Sequence, residues 1–303
     1  MNETVLPAPV WRARAAAHAA RVDGWLAGHL HRRRDGVPHP VEDFLFTYYS
    51  HRPAQLRRWH PGFGVVLAGA EPQRHYVATD LGQTVDARLL EKRAAALRWI
   101  RGLLRATASR PAQLGCFGLH EWAMVYRQTP DQVRHNAWPL RLSPSAAAQV
   151  VEDRGVRCTH FDAYRFFTEP ARPLNALTPT RDRQSELEQP GCLHANMDLY
   201  KWAYKLSPLI PSELVADCFE LSRAIRVLDM RASPYDLRDL GYEPVRIETP
   251  DGRAAYAAAQ REFAERGMPL RARLVERCDA LLAAEPAAGE RLREPPEVRS
   301  VIA

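Results

Sequence analysis

Residues 86–105 read Asp86-Ala-Arg-Leu-Leu-Glu-Lys-Arg-Ala-Ala-Ala-Leu-Arg-Trp-Ile-Arg-Gly-Leu-Leu-Arg105, and their periodicity decides the fold class. Leu89, Leu90, Leu97, Ile100, Leu103 and Leu104 fall on one face of a helix, with Glu91, Lys92, Arg93, Arg98 and Arg101 on the other, the pattern of a helix laid against a core. The same period recurs on both sides. Trp11, Val22, Trp25, Leu26 and Leu30 give the Ala- and Arg-rich residues 10–34 one apolar side, and Asp35-Gly36, Pro38 and Pro40 end that helix. Val41, Phe44, Leu45, Tyr48 and Tyr49 repeat at three and four residues up to Pro53. Residues 143–153, 193–206, 212–230 and 254–284 predict further helices. Ser212 is expected to cap its helix behind Pro211, and a break is expected near Gly267-Met-Pro269.

Strands are few. Residues 63–78 predict one or two around a turn, residues 139–142 another, and 156–167 an extended segment, while the Pro- and charge-rich 168–190 reads as a surface loop. The expectation is a mainly α (α+β) fold: one compact helical domain over residues 1–285, its core joining 86–230, and a flexible tail over 286–303.

The chain of 303 residues, 46% hydrophobic and 26% charged, is long enough to bury a large core. Its longest apolar run, residues 65–70, falls far short of the ~20 residues needed to span a bilayer, and the first residues lack the basic and apolar regions of a signal peptide. No membrane partner and a cytoplasmic location follow as expectations. Five scattered cysteines argue against a disulfide scaffold and for reduced thiols. A net charge of +6 permits an anionic partner without requiring one. Only Lys92, Lys201 and Lys205 of the 42 basic residues are lysines, so a lysine retained in so arginine-rich a chain marks a position where a compact, titratable ammonium matters.

The dinucleotide, P-loop, zinc-protease and nucleophile-elbow motifs are absent. Three segments hold the reactive side chains instead. In Leu114-Gly-Cys-Phe-Gly-Leu-His-Glu-Trp-Ala-Met-Val-Tyr-Arg127, His120 and Glu121 sit among apolar residues and so need polar partners. In Cys158-Thr-His-Phe-Asp-Ala-Tyr164, an extended backbone would align Cys158, His160, Asp162 and Tyr164 on one face. In Cys192-Leu-His-Ala-Asn-Met-Asp-Leu-Tyr-Lys-Trp-Ala-Tyr-Lys-Leu206, helical spacing aligns His194, Asp198, Lys201 and Lys205, with Tyr200, Trp202 and Tyr204 around them. A cysteine precedes the histidine in each segment, which supplies the ligand types of a zinc site without the usual paired spacings. The three segments are expected to converge on one cleft.

Four strings carry a family resemblance: Glu42-Asp-Phe-Leu-Phe-Thr-Tyr-Tyr-Ser-His-Arg-Pro-Ala-Gln-Leu-Arg-Arg-Trp-His60, Leu114-Gly-Cys-Phe-Gly-Leu-His-Glu-Trp-Ala-Met124, Gln189-Pro-Gly-Cys-Leu-His194 and Asp229-Met-Arg-Ala-Ser-Pro-Tyr-Asp236. They resemble the actinobacterial proteins labelled 3-methyladenine DNA glycosylase, over most of the chain. The resemblance implies a DNA-base-processing hydrolase that cleaves the N-glycosidic bond of an alkylated purine, with DNA as partner and no required cofactor. Such chemistry needs a carboxylate, here Asp162 or Glu121, with His160, His194 and Lys201 as further catalytic candidates. It also needs rings to hold an extruded base, for which Tyr48, Tyr164 and Trp202 stand, and cations for phosphates, for which Arg57, Arg58, Lys205 and Arg231 stand beside Asp198. The alternative is a metal-dependent enzyme acting on a small molecule, with His120, His160 and His194 holding Zn²⁺ or Fe²⁺ and Asp162, Asp198 or Glu121 as further ligand or base. A non-enzymatic nucleic-acid-binding module is a third reading.

Overall fold

The computed structural model describes residues 4–129, 131–133 and 137–284, and within them the fold is mainly helical. The expected tail over 286–303 lies outside the described residues. The helices are α1 (Ala8–Asp35), α2 (Phe44–Tyr48), α3 (Pro53–Arg57), α4 (Arg88–Ala108), α5 (Leu119–Ala123), α6 (Pro144–Arg154), α7 (Phe161–Tyr164), α8 (Gln184–Leu187), α9 (Leu193–Leu206), α10 (Ser212–Ala232) and α11 (Pro250–Ala283). Strands β1 (Thr4–Leu6), β2 (Val65–Leu67), β3 (Tyr76–Thr79) and β4 (Gly82–Val85) make one small sheet in the order β1-β2-β4-β3. β1 joins parallel to β2, with Val5 opposite Val66, and the other pairs are antiparallel. Among the described residues no helix is long and apolar enough to cross a membrane.

α9 is the centre. Leu193, Met197, Leu199, Tyr200, Trp202, Ala203 and Leu206, with the polar Asn196 and Asp198, are buried around nearly its whole circumference, which puts this helix inside the core. It packs against α10 and α11, and α11 in turn packs against α4, whose buried Leu90, Leu97, Ile100, Leu103 and Leu104 are the face read from the periodicity. Ser143 accepts a hydrogen bond from the Ala146 backbone and starts α6 as a Ser-Pro N-terminus should.

Several expectations are corrected. α11 runs without interruption through Gly267-Met-Pro269. An interior proline costs a helix about 3 kcal/mol, but buried Phe263, Ala264, Arg271 and Leu274 on both sides hold this one in register. Gly267 has a packing role instead, since a Cβ there would meet Asn196 Oδ1 of α9 at 2.4 Å. Ser212 does not cap α10; Pro211 occupies that position, and the Ser212 hydroxyl accepts from the His60 backbone N–H and donates to the Arg58 carbonyl. Residues 139–142 contribute only an isolated bridge between Leu140 and Tyr235.

Residues 156–167 are not one extended run. The Tyr164 N–H closes on the His160 carbonyl at 3.0 Å and turns the chain into α7, so Cys158, His160, Asp162 and Tyr164 do not share a face. The 168–190 stretch is also more than a surface loop: it holds a 3₁₀ turn at Glu169–Leu174 and α8, and it buries Gln184, Glu188 and Gln189.

Candidate functional site

The three reactive segments converge as expected, on the side of α9 that carries His194 and Asp198. The His194 ring lies 4.5 Å from that of His120, nearly perpendicular to it, and 5.3 Å from that of His160, stacked on it. The histidines nevertheless do not form one three-imidazole site. They divide between two groups, His120/His194/Asp229 with one acid and His160/Glu188/Asp198 with two, within each of which the potential ligand atoms lie within 4.8 Å of one another.

The first group is a closed, charge-balanced network. His120 Nε2 and Asp229 Oδ1 are 2.8 Å apart, and Arg226 Nη1 donates to Asp229 Oδ2 at 2.9 Å and to Glu121 Oε1 at 3.0 Å. Phe44 packs under the Arg226 guanidinium at 3.8 Å. Burial opposes a charge on His120, but Asp229 outweighs it and keeps the imidazole protonated above its ordinary range. Burial likewise works against the Asp229 carboxylate, and His120 and Arg226 hold it well below the usual range. Glu121 moves the other way, raised by burial and by Asp229. Burial, followed by charged His120, pushes His194 well below the ordinary histidine value. The His194 ring nitrogens have no hydrogen-bond partner among the described residues.

The second group is built differently. His160 and Asp198 are 1% exposed and Glu188 2%. His160 Nε2 lies 3.4 Å from Glu188 Oε1 and 3.3 Å from Asp198 Oδ2, yet neither ring nitrogen makes a directed hydrogen bond. Neighbouring side chains fix both carboxylates, in part through the same oxygens that face His160. Tyr49 donates to Asp198 Oδ1 at 2.9 Å, the Lys201 ammonium bridges Asp198 Oδ2 at 2.8 Å and Asp162 Oδ2 at 2.7 Å, and Gln184 donates to Glu188 Oε1. Burial disfavours the Lys201 charge, but the two aspartates more than compensate and raise its pKa. An ammonium so held is an electrostatic tie and not a nucleophile.

Two cavities meet at His194. One of about 370 Å³ is walled by Phe44, Tyr48, Phe166 and Tyr235, with Glu121, Asp162, Arg165 and His194 supplying polar groups. Phe44 and Tyr48 stack at 5.0 Å and form a flat wall. The other, of about 400 Å³, is lined by Cys116, Cys158, Cys192, His120 and His194. Burial pushes the Cys158 thiol well up and that of Cys192 to about 12, which disfavours these two as metal ligands.

The sequence candidates thus separate. Glu121, Asp162, His194 and Tyr48 line the aromatic cavity, while His160, Asp198 and Lys201 stand behind it. Trp202 is buried outside both cavity linings, edge-on to Trp99 at 5.1 Å, and its ring lies 4.6 Å from the Lys201 ammonium. Tyr164 packs on Phe167 outside the cavity lining. Arg57 is committed to Asp23 at 2.7 Å, Arg231 to the Glu243 carbonyl at 2.7 Å, and Arg58 and Lys205 line a different cavity. Glu188, Arg226 and Asp229 are the residues the sequence reading left out of its site. Glu188 hid in the assumed loop, and nothing local distinguishes Arg226 among so many arginines. Comparison with protein-family models, with characterised proteins and with solved structures finds no match to this chain.

Proposed function

We propose that this protein is a metal-dependent hydrolytic enzyme acting on a small molecule, with Zn²⁺ or Fe²⁺ held by His160 Nε2, Glu188 Oε1 and Asp198 Oδ2. One observation carries the reading: a fully buried imidazole without a hydrogen bond faces two carboxylate oxygens at 3.3 and 3.4 Å. Buried polar atoms are almost always paired, so an orphaned one calls for an absent partner. Ligands bound to Zn²⁺ at about 2.1 Å sit about 3.4 Å apart along a tetrahedral edge, which is the spacing here. The 2.8 Å between His120 and Asp229 is a hydrogen bond filled by a proton and is too short for such an edge.

A divalent ion in this position supplies Lewis-acid polarisation of a substrate oxygen or of water. Tyr49, Lys201 and Gln184 hold the carboxylates for it, as ligands generally need. The unpartnered His194, stacked on His160 and open to both cavities, is placed to accept a proton from the reacting water. The experiment is elemental analysis of the purified protein beside His160→Ala and His120→Ala. About one equivalent in the parent and in His120→Ala, lost in His160→Ala, is expected. Less than about 0.2 equivalents in the parent after reconstitution overturns the reading, because a closed site of this kind fills stoichiometrically.

A second reading, N-glycosidic hydrolysis of an alkylated purine, is favoured by one feature. The stacked Phe44–Tyr48 wall faces the same cavity as the Asp162 and Glu121 carboxyls, which suits a flat base and a developing oxocarbenium ion. Release of 3-methyladenine from alkylated DNA by the parent, abolished in Asp162→Asn, is its expected result, and no release rejects it.

A further inference from the structure

Beside the C-terminal end of α9 lies a cavity of about 260 Å³ with an unusual lining: Arg58, Arg74, Arg93 and Lys205, with His51, His60 and His75, and no carboxylate. Elsewhere in the described residues arginines are routinely matched by acids, as Arg57 is by Asp23 and Arg21 by Asp217 and Glu220. The side chains of Arg58, Arg74 and Lys205 have no hydrogen-bond or ion-pair partner among the described residues. Asp86, the carboxylate that His75 senses, is itself occupied by Arg88 at 2.8 Å.

Arg93 fixes the shape of the cavity. Its Nη1 donates to the carbonyls of Lys205 and Ser207 at 3.1 and 2.6 Å, so α4 holds a guanidinium at the end of α9 without neutralising it. Burial pushes the Arg93 pKa below its ordinary value, with no carboxylate to raise it. At the rim, His75 adopts φ +72, a left-handed conformation that a non-glycine residue holds only at some cost. Four cations left uncompensated around a concave surface, one of them pinned by backbone, repel each other unless an anion joins them.

We propose that this cavity binds the terminal phosphate or diphosphate of a small-molecule ligand. Guanidinium forks match phosphate oxygens in pairs, Lys205 adds a compact charge, and the volume suits one or two phosphoryl groups. The inference is independent of the metal site, which shares none of these residues. The probe is inorganic pyrophosphate, titrated calorimetrically into the full chain and into Arg58→Gln/Lys205→Gln, with Lys92→Gln as a control on an exposed helix face. Both altered residues of the double variant are exposed, so its unfolding transition is expected to match the parent's. Saturable binding by the parent and by Lys92→Gln, weakened at least about tenfold in the double variant, is the expected result. Absence of binding by the parent, equal affinity in the double variant, or binding of a single-stranded oligonucleotide but not of pyrophosphate overturns the proposal.

Discussion

His120 and Asp229 stand 109 positions apart in the chain and 2.8 Å apart in space, and that contact joins α5 to α10. Both side chains are essentially without solvent, and Asp229 also accepts from Arg226. Removing one member of a buried pair leaves its partner charged and alone, which costs about 3–5 kcal/mol. Asp229→Ala, which takes the carboxylate from His120 and leaves Glu121 as the one carboxylate on Arg226, is therefore expected to lower unfolding free energy by about 3 kcal/mol or more. Urea unfolding measures it, and a loss under about 1 kcal/mol, typical of a solvated pair, would refute the burial argument.

Acid stability provides a second test. Burial, then Arg58, pushes His60 down to about 4, and burial pushes His51 to about 4 as well. A histidine whose folded pKa lies below its unfolded value contributes stability above the unfolded pKa and loses it as pH falls. Each group therefore contributes fully above about pH 6.5 and loses that contribution between about 6.5 and 4, at up to ~1.4 kcal/mol per pH unit. His120 acts in the opposite sense, since its raised pKa adds stability at low pH that is lost as pH rises past its folded value. His60→Gln is expected to flatten the fall of stability between pH 6.5 and 4.5. An unchanged slope would mean that His60 titrates as an ordinary exposed imidazole.

Lys201 and Lys92 make a matched comparison. Lys201 is largely buried and bridges two aspartates, whereas Lys92 is exposed on α4. A planar guanidinium cannot occupy the point between Asp162 Oδ2 and Asp198 Oδ2 without shifting both. Lys201→Arg is expected to cost about 1–3 kcal/mol, in the range of overpacked buried sites, and Lys92→Arg to stay within about 0.5 kcal/mol. Equal melting temperatures for the two variants would return Lys201 to the rank of a surface ion pair.

Gly267→Ala probes the crossing of α11 over α9. The added methyl meets Asn196 Oδ1, the atom that accepts from buried Arg271 at 2.7 Å, so relief of the clash breaks a charge-assisted hydrogen bond. A loss of about 2 kcal/mol is expected, although alanine favours a helix by about 1 kcal/mol over glycine. A stabilised variant would show that Asn196 moves aside freely.

By itself the sequence determined the helices with clear periodicity, α1, α4, α9 and α10, because an amphipathic repeat is a local property that needs no partner to be recognised. It also determined that His120, His160 and His194 would meet, since polar groups set among apolar residues must find one another. Only the tertiary structure decided how they meet. The turn at α7 replaced the extended run, and burial of Glu188 from an apparent loop divided the histidines between a hydrogen-bonded network and a His160 that faces two carboxylates without a hydrogen bond. It also decided which cations remain unpaired. Arg57 and Arg58 are neighbours of one kind in the chain, yet one meets Asp23 and the other has no acid partner among the described residues, because the partner of a surface charge is set by whichever helix packs alongside it.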